Sequence, residues 1–290
     1  MTRTWRWVEA VGLACVLLTA ATVVTTCSSA ATPDPPAVAT LHYAANDNFA
    51  PDGRYLPGQY GFDLADVSTP AQLAALPAGV RGLAFLGACL APGAAFATSL
   101  GGFTRNAKLF GFYLVDDPDP ATCAPSTLKA ESDYIHTHFP GAKTFILEQN
   151  LAQSTNPSYV GGYNPANTGI DLYGIDPYPC RTELNGCDPN MIANFVAAAE
   201  RFGIPASSIV PVFQAFGGGS WVDDGGGQYQ LPTASQMNSM LAQWAQVIPS
   251  PLFDFVYSWG SQRGDRALAG APADLLAAFA AHNRTTAAPG

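Results

Sequence analysis

Adjacent acidic residues stand at the end of an apolar segment, Leu109–Pro120 (LFGFYLVDDPDP). Asp116 and Asp117 follow a run of apolar and aromatic residues without alternation, which is typical of a fully buried strand. Pro118 and Pro120 then prevent a regular strand from continuing. Carboxylates at the end of a buried strand lose hydration, which costs free energy unless a function retains them. The segment therefore predicts a polar site.

Polar and aromatic residues also follow the other predicted strands. These positions hold Asp63 and Asp66, Glu148 and Gln149, Asp176 and Tyr178, Gln214, and Tyr257 and Trp259. Carboxylates and amides can hydrogen-bond to sugar hydroxyls, aromatic rings can stack on the apolar faces of pyranose rings, and two carboxyl groups can carry out hydrolysis. Since Lys, His and Cys are nearly missing from these positions, the set is typical of a carbohydrate site.

In glycoside hydrolysis one carboxylic acid protonates the glycosidic oxygen, and a second carboxylate attacks the anomeric carbon or activates water. We expect Asp117 to be the acid, because repulsion from Asp116 raises the pKa of at least one of the two. Glu148 is expected to be the nucleophile or base, and Asp176 is the alternative. Each acid could instead be structural, as a turn former before proline or as a strand-end residue paired with an arginine.

The residues expected to bind substrate are Asp63, Tyr178, Gln214, Trp221, Tyr257 and Trp259. Trp221 lies in a glycine-rich segment, 217–228, that could close over a ligand or could be an ordinary surface loop. Asp63 could equally be a buried structural acid, and the aromatic residues could be core or loop anchors.

Neither a cofactor nor a metal site is expected. The histidines are His42, His136, His138 and His282, and the middle two lie two residues apart on a predicted helix, so they cannot face one metal ion. The acids of segment 217–228 do not match an EF-hand loop. The sequence also lacks the G-x-S-x-G motif of common serine hydrolases and the G-K-[ST] of a phosphate-binding loop.

The elements that would position these residues alternate along the chain. Strands are predicted at 59–67, 80–87, 109–115, 143–148, 170–176, 208–213 and 253–258, and helices from residue 69 and at about 92–108, 126–139, 189–202, 234–247 and 271–282. This alternation indicates parallel βαβ units, so we expect a single-domain α/β fold, a closed (β/α)8 barrel of TIM type, with an open doubly wound sheet as the alternative. An irregular eighth strand would come from 38–43 or from 149–168.

The first thirty residues have the pattern of a secretory signal peptide. Arg3 and Arg6 precede an apolar run, 11–24, that is too short for a membrane span and is followed by small residues. Cleavage near Ala30 is one reading. The other is a lipobox ending at Cys27, with threonine where a smaller residue is usual, which would attach a lipid there.

Residues 31–58 are expected to form a linker and N-terminal arm, and 59–285 the barrel, as the catalytic domain. The 290-residue chain holds 13 basic and 22 acidic residues; without residues 1–30 these become 11 and 21, a net charge of −10. Such a surface repels phosphate backbones and anionic lipids, which argues against nucleic acid and membrane partners apart from a lipid at Cys27. We expect a secreted, extracellular monomer, or a cell-surface lipoprotein.

Four cysteines lie beyond the signal region, and in an oxidising compartment they imply two disulfides with three connectivities. Cys180 and Cys187 flank a short, turn-rich loop, so they are expected to pair with each other. Cys89 and Cys123 each follow the end of a predicted strand. Because consecutive parallel strands are usually neighbours, the second disulfide is expected between them.

Three motifs resemble those of (β/α)8-barrel glycoside hydrolases. GFYLVDDPD resembles the strand-ending N-E-P or D-E-P signatures, in which the acid before proline is the acid/base; Asp117 stands where that pattern usually has Glu. IDLYGIDPYP resembles a strand that closes with D-x-Y, and FDFVYSWG resembles a final strand that ends in a substrate-stacking Trp. The resemblance covers most of 59–263 and is to secreted bacterial enzymes of actinobacterial type.

The resemblance implies a secreted glycoside hydrolase that acts on an extracellular polysaccharide or cell-wall glycan. Asp117 is one methylene shorter than the usual Glu, which changes the reach of the acid. The alternatives are a non-catalytic carbohydrate-binding barrel, in which Asp116, Asp117 and Asp176 only orient hydroxyls, and a wall-anchored interaction protein.

Overall fold

The computed structural model describes residues 39–222 and 225–286, and the predicted signal peptide with Cys27 lies outside them. Eight parallel strands form a closed barrel: β1 Leu41–Ala44, β2 Leu64–Val67, β3 Arg81–Phe85, β4 Leu109–Val115, β5 Lys143–Leu147, β6 Leu172–Ile175, β7 Ile209–Gln214 and β8 Phe253–Tyr257. Each strand pairs with the next, and β1 pairs with β8 to close the ring. The predicted (β/α)8 barrel is therefore confirmed.

The helices that follow the strands are α1 Pro70–Ala75, α2 Ala94–Ser99, α3 Pro125–His138, α4 Pro165–Thr168, α5 Asn190–Phe202, α6 Ala234–Val247 and α7 Ala273–Thr286. A 3₁₀ helix, Pro57–Tyr60, takes the helical place after β1. Two short antiparallel pairs, Cys180–Arg181 with Gly186–Cys187 and Phe216–Gly218 with Asp265–Ala267, build up the loops. Within the described ranges, every helix is too short or too polar to cross a membrane.

The N-terminal arm supplies the eighth strand, which was one of the two alternatives. Leu41–Ala44 pairs with β8 on one side and with β2 on the other. The barrel thus begins upstream of residue 59, where the domain boundary was expected, because neither neighbouring strand could complete its hydrogen bonds without the arm.

Several predicted elements are shorter in the structure. Strand β2 starts at Leu64 rather than at residue 59, since the chain first forms the 3₁₀ helix and turns at Gly61, whose φ is 84°. Helix α2 stops at Ser99 because Gly101 and Gly102 adopt positive φ angles. Helix α3 begins at Pro125, one residue before the expected start, because proline suits the first helical position; Ser126 therefore lies inside the helix and is not its N-cap residue.

Side chains alternate between the inside of the barrel and its outer face. Aromatic residues fill the inside, with the rings of Tyr43 and Phe255 4.7 Å apart and those of Tyr113 and Phe145 also 4.7 Å apart. Residues of the other parity, such as Phe112, pack outward against the helices. The barrel is consequently closed by packing below its C-terminal end, which leaves room for a site only above these rings.

Both expected disulfides are formed. Cys89–Cys123 joins the loop after β3 to the loop after β4, and Cys180–Cys187 links two short strands in the loop after β6. The first holds the segment that follows Asp116 and Asp117. The second stabilises the segment that follows Asp176.

Candidate active site

A cavity of about 860 Å³ opens at the C-terminal ends of the strands. Its walls come from the ends of β4, β5, β6 and β8 and from the loop after β7. Its polar and aromatic lining includes Asp116, Asp117, Asp119, Gln149, Asn150, Asp176, Tyr178, Arg181, Trp221, Tyr229 and Tyr257. Three of the four acids that were expected to be catalytic are therefore in one cavity, although about sixty residues separate the first from the last.

Asp116 and Asp117 both line the cavity although they are adjacent in sequence. In a regular strand neighbouring side chains point to opposite faces. Asp117 departs from the strand conformation with a φ of 43°, a left-handed value that Asp tolerates better than most residues. The turn at the end of β4, which Pro118 enforces, thereby brings two carboxyl groups into the same space.

The environment makes Asp117 a weak acid. Burial, and then repulsion from Asp116, raises the pKa of Asp117 to about 7. Solvent reaches both residues through the open side of the cavity, while protein surrounds them on the other sides. A carboxyl group with this pKa still carries a proton near neutral pH, as a general acid must.

Asp116 is more easily ionised than its neighbour. Burial raises the pKa of Asp116, but the hydroxyl of Tyr113 donates a hydrogen bond to its Oδ1 over 2.5 Å and opposes that rise. The Tyr113 hydroxyl lies within the packed barrel. Its burial, and then the charge of Asp116, raise the pKa of Tyr113 well above its ordinary value. Tyr113 therefore remains a donor, and Asp116 is the carboxyl group best placed to hold a negative charge.

Asp176 completes the acidic set from the end of β6. Burial, followed by repulsion from Asp117 and Asp116, raises the pKa of Asp176 well above its ordinary value. Like charges this close cannot all ionise without cost, so the group shares protons near neutral pH. The arrangement can hold one protonated and one ionised carboxyl group together, which is what acid and base roles require.

Glu148 is not in the cavity lining. Strand alternation turns Gln149 toward the cavity and Glu148 to the outer face, where it is fully buried and its Oε1 accepts a hydrogen bond from the backbone N–H of Tyr163 at 2.9 Å. Burial raises the pKa of Glu148 to about 8, so it is neutral at pH 7. This placement does not support the nucleophile or base expected here and favours the alternative, Asp176.

Asp63 lies at the opposite end of the barrel. Because β2 begins at Leu64, Asp63 precedes the strand instead of ending it, and its Oδ1 accepts a hydrogen bond from the backbone N–H of His42 at 2.7 Å. The expectation that Asp63 binds substrate is corrected: its carboxylate has a structural partner far from the cavity, as in the alternative reading.

Gln214 and Trp259 are also structural. The Gln214 side chain accepts from the backbone N–H of Cys180 at 2.8 Å and donates to the carbonyl oxygens of Cys180 and Gln230 at 2.9 and 3.1 Å. Trp259 is buried and packs on Tyr60, with ring centres 5.7 Å apart. Neither lines the cavity, because the chain turns between Tyr257 and Trp259 and directs the tryptophan to the outer cluster.

Tyr178, Trp221 and Tyr257 form an aromatic wall, as expected for substrate-binding residues. The ring centres of Tyr178 and Tyr257 are 6.0 Å apart, and those of Trp221 and Tyr257 are 6.2 Å apart. The Arg263 guanidinium lies 4.1 Å from the centre of the Trp221 ring and supports it from one side. The Trp221 Nε1–H is buried and has no hydrogen-bond partner among the described residues.

Other lining residues were missed. Tyr229 reaches the site through strand pairing in the loop after β7, and no sequence signal marks it. Gln149 could have been found, since the residue after an outward Glu148 must face inward. The oxygen Oε1 of Gln149 has no partner in the described part of the chain.

Comparison with known proteins shows similarity in fold but not in sequence. The sequence matches no protein-family model and no curated protein. Active domain 2 of a thermostable chitinase from Pyrococcus furiosus is similar in structure, with a TM-score of 0.56 and 9% identity over 87% of this chain and 97% of that one. A chitinase-like agglutinin from Robinia pseudoacacia has a TM-score of 0.50 and 11% identity over 83% and 98%.

A third such structure is catalytic domain 2 of a group II chitinase from Ostrinia furnacalis, with a TM-score of 0.51 and 11% identity over 87% of this chain and 98% of that one. The three structures match 83–87% of this chain, and the match extends over 97–98% of each of those chains. At these identities they establish the fold, and the fold of this chain is that of the chitinase-like (β/α)8 barrels.

Proposed function

We propose that this protein is a secreted glycoside hydrolase that cleaves a glycosidic bond in an extracellular polysaccharide or cell-wall glycan. The observation that carries the proposal is the meeting of Asp117 and Asp176 in one cavity with an aromatic wall. The two disulfides are consistent with an oxidising, extracellular compartment. The chitinases among the fold neighbours support a carbohydrate ligand, and one of them is complexed with chito-oligosaccharides.

In the proposed mechanism Asp117 is the general acid and gives its proton to the glycosidic oxygen. Asp176 is its partner: because its pKa is raised, it must first lose its own proton to solvent, and it then attacks the anomeric carbon or removes a proton from the attacking water. Asp116 remains charged beside them, so it keeps the proton on Asp117 before the reaction and stabilises positive charge that develops on the sugar ring. Tyr178, Trp221 and Tyr257 hold the sugar rings by stacking.

The test measures release of reducing ends from a panel of chito-oligosaccharides, peptidoglycan and other bacterial wall glycans. Asp117→Asn and Asp176→Asn are each expected to lower kcat by about 10²–10⁴ while oligosaccharide binding persists, because each removes one proton-transfer or nucleophilic step and leaves the aromatic wall intact. The matched control is Asp133→Asn, at an exposed acid of α3 whose carboxylate pairs with Lys129 on the same helix. It should leave kcat unchanged.

Glu148→Gln provides a second comparison, because it distinguishes Glu148 from Asp176 as the nucleophile or base. If Asp176 is the partner of Asp117, Glu148→Gln retains turnover. Loss of turnover in Glu148→Gln together with full activity in Asp176→Asn would contradict the mechanism.

A carbohydrate-binding barrel without turnover is the second candidate, and one observation favours it: a chitinase-like agglutinin has the same fold. Binding of a glycan by the wild-type chain without release of reducing ends from any of the panel would support that function. A wall-anchored interaction protein, the third reading, depends on Cys27 and would show neither binding nor turnover.

A further inference from the structure

Two histidines and an aspartate meet on the outer face of the barrel, away from the cavity. His42 of β1 and Asp254 of β8 are paired across the strands that close the barrel, and His282 of α7 packs over them. His42 Nδ1 lies 2.9 and 3.0 Å from the two carboxylate oxygens of Asp254, and His282 Nε2 lies 2.8 Å from Oδ2. One nitrogen of each ring and one carboxylate oxygen all lie within 4.8 Å of one another.

The cluster is shielded from solvent. The side chain of His42 is fully buried, that of Asp254 is 2% exposed and that of His282 is 17% exposed. The His42 ring also hydrogen-bonds to the backbone carbonyl of Asn283. Since a carbonyl only accepts, the ring nitrogen that faces Asn283 carries a proton, which leaves Nδ1 directed at Asp254. A backbone carbonyl in this position is the usual second partner of a metal-binding histidine.

This geometry requires a positive charge between His42 and Asp254. If the ring is neutral, its Nδ1 lone pair faces a carboxylate, and the two repel. Asp63 adds a further negative charge beside His42, because its Oδ1 accepts a hydrogen bond from the His42 backbone N–H. The charge can come from a proton on Nδ1 or from a metal ion that binds Nδ1, the His282 Nε2 and the Asp254 carboxylate at once.

We propose that His42, Asp254 and His282 form a binding site for a zinc ion. Two imidazole nitrogens and one carboxylate oxygen are a donor set that Zn²⁺ accepts, whereas Ca²⁺ and Mg²⁺ require more oxygen ligands. The ion would tie the first strand, the last strand and the C-terminal helix together at the seam of the barrel. The proposal revises the expectation that the chain has no metal site, which rested on the pair His136 and His138 and on the acids of segment 217–228, and not on these three residues.

Isothermal titration of the EDTA-treated chain with zinc chloride at pH 7.5 tests the proposal. We expect one ion per chain, a higher Tm with zinc than with EDTA, and release of protons that is detected as a dependence of the binding heat on the buffer, because zinc replaces the proton on His42 Nδ1. His42→Gln and His282→Gln should each weaken zinc binding by at least about tenfold.

The matched control is His136→Gln. His136 Nε2 lies 2.9 Å from an oxygen of Asp171, so the control removes a similar histidine–aspartate contact, but in an exposed position and without a second imidazole. Its zinc affinity should equal that of the wild-type chain. Circular dichroism identifies any variant that fails to fold, and His282→Gln, at the most exposed position of the three, then decides.

Two results would overturn the site. One is the lack of zinc binding in the wild-type chain, which would show that protons alone balance the charge. The other is zinc binding of equal affinity in His282→Gln, which would place the ion elsewhere. Neither result bears on the proposed hydrolase, because the cavity contains none of these three residues.

Discussion

The proton on Asp117 is the feature on which the proposed chemistry depends. Burial contributes most to the high pKa of Asp117, and the charge of Asp116 contributes next. Tyr113 maintains that second contribution, because its hydrogen bond keeps Asp116 ionised. Three residues of one strand end thus produce a protonated and an ionised carboxyl group, and neither carboxyl forms an ion pair with a cation in the described part of the chain.

Turnover is expected to fall as the pH rises through about 7, since Asp117 then loses its proton. Asp116→Asn removes the repulsion that raises the pKa of Asp117, so the alkaline limb of the kcat profile should move to lower pH. The measurement is kcat against pH for the two proteins.

Asp119→Asn is the matched control, because Asp119 lines the same cavity but does not contribute to the pKa of Asp117. Its amide oxygen can still accept the hydrogen bond that Asp119 Oδ1 receives from the Ala121 N–H. An alkaline limb that stays in place in Asp116→Asn would contradict the electrostatic account.

At the scale of elements, two disulfides stabilise the loops that carry the acids. Cys89–Cys123 spans 34 positions and Cys180–Cys187 spans 7. A longer closed loop restricts the unfolded chain more. The Cys89 loop has a further contact, because the backbone N–H of Leu90 donates to the Glu131 carboxylate of α3.

Replacing both cysteines of the long loop, Cys89→Ser with Cys123→Ser, should lower the free energy of unfolding by about 4 kcal/mol. The corresponding double variant of the short loop, Cys180→Ser with Cys187→Ser, should lower it by about 2 kcal/mol, and it is the matched control. Equilibrium unfolding in urea measures both values. Equal losses would show that the length of the closed loop does not determine how much each disulfide stabilises the protein.

The sequence predicts the bounds of some elements of this fold but not the direction in which every strand-end side chain points. Strand β4 and helix α6 have the expected bounds, because one is uninterrupted and apolar and the other has a clear amphipathic pattern with a Thr233 cap. Asp63 was assigned to the wrong end because the start of β2 was placed five residues early. Glu148 was chosen over Gln149 because a one-residue shift in register exchanges the two faces of a strand.

The histidine cluster could not be predicted at all. His42 and His282 stand at opposite ends of the described chain, and only closure of the barrel brings β1, β8 and α7 together. Neither residue has a local pattern that marks it as a ligand. Contacts of this kind depend on the whole topology and not on spacing.

Buried acids in several parts of the protein make its free energy of unfolding depend on pH. Burial raises the pKa of Glu131 and of Glu148 to about 8, and burial raises that of Asp66 to about 6. Between their ordinary values and these raised values the unfolded chain binds fewer protons than the folded chain, so stability falls as the pH rises. His42, whose pKa is also raised in the folded chain, acts in the same direction.

Acids whose pKa is lowered in the folded chain change its stability only at lower pH. Asp171, which Lys143 and His136 contact, and Asp254 both have a pKa below the ordinary value, so the stability that they contribute is lost only as the pH falls below about 4. The two effects together predict a maximum of stability near pH 5 and a steady decline from there to pH 8.

Thermal unfolding of the EDTA-treated chain from pH 4 to pH 9 measures that decline, with zinc removed so that the histidine cluster binds no metal. A double variant, Glu131→Gln with Glu148→Gln, should flatten it, because each buried carboxyl group adds up to about 1.4 kcal/mol per pH unit to the slope and an amide adds none. Glu200→Gln, at an exposed acid of α5, is the control and should retain the wild-type slope. If the double variant keeps the wild-type slope, then the two carboxyl groups ionise in the folded chain near their ordinary pKa values. The conclusion that Glu148 is neutral at pH 7 would then be wrong, and water would reach its carboxyl group on the outer face of the barrel.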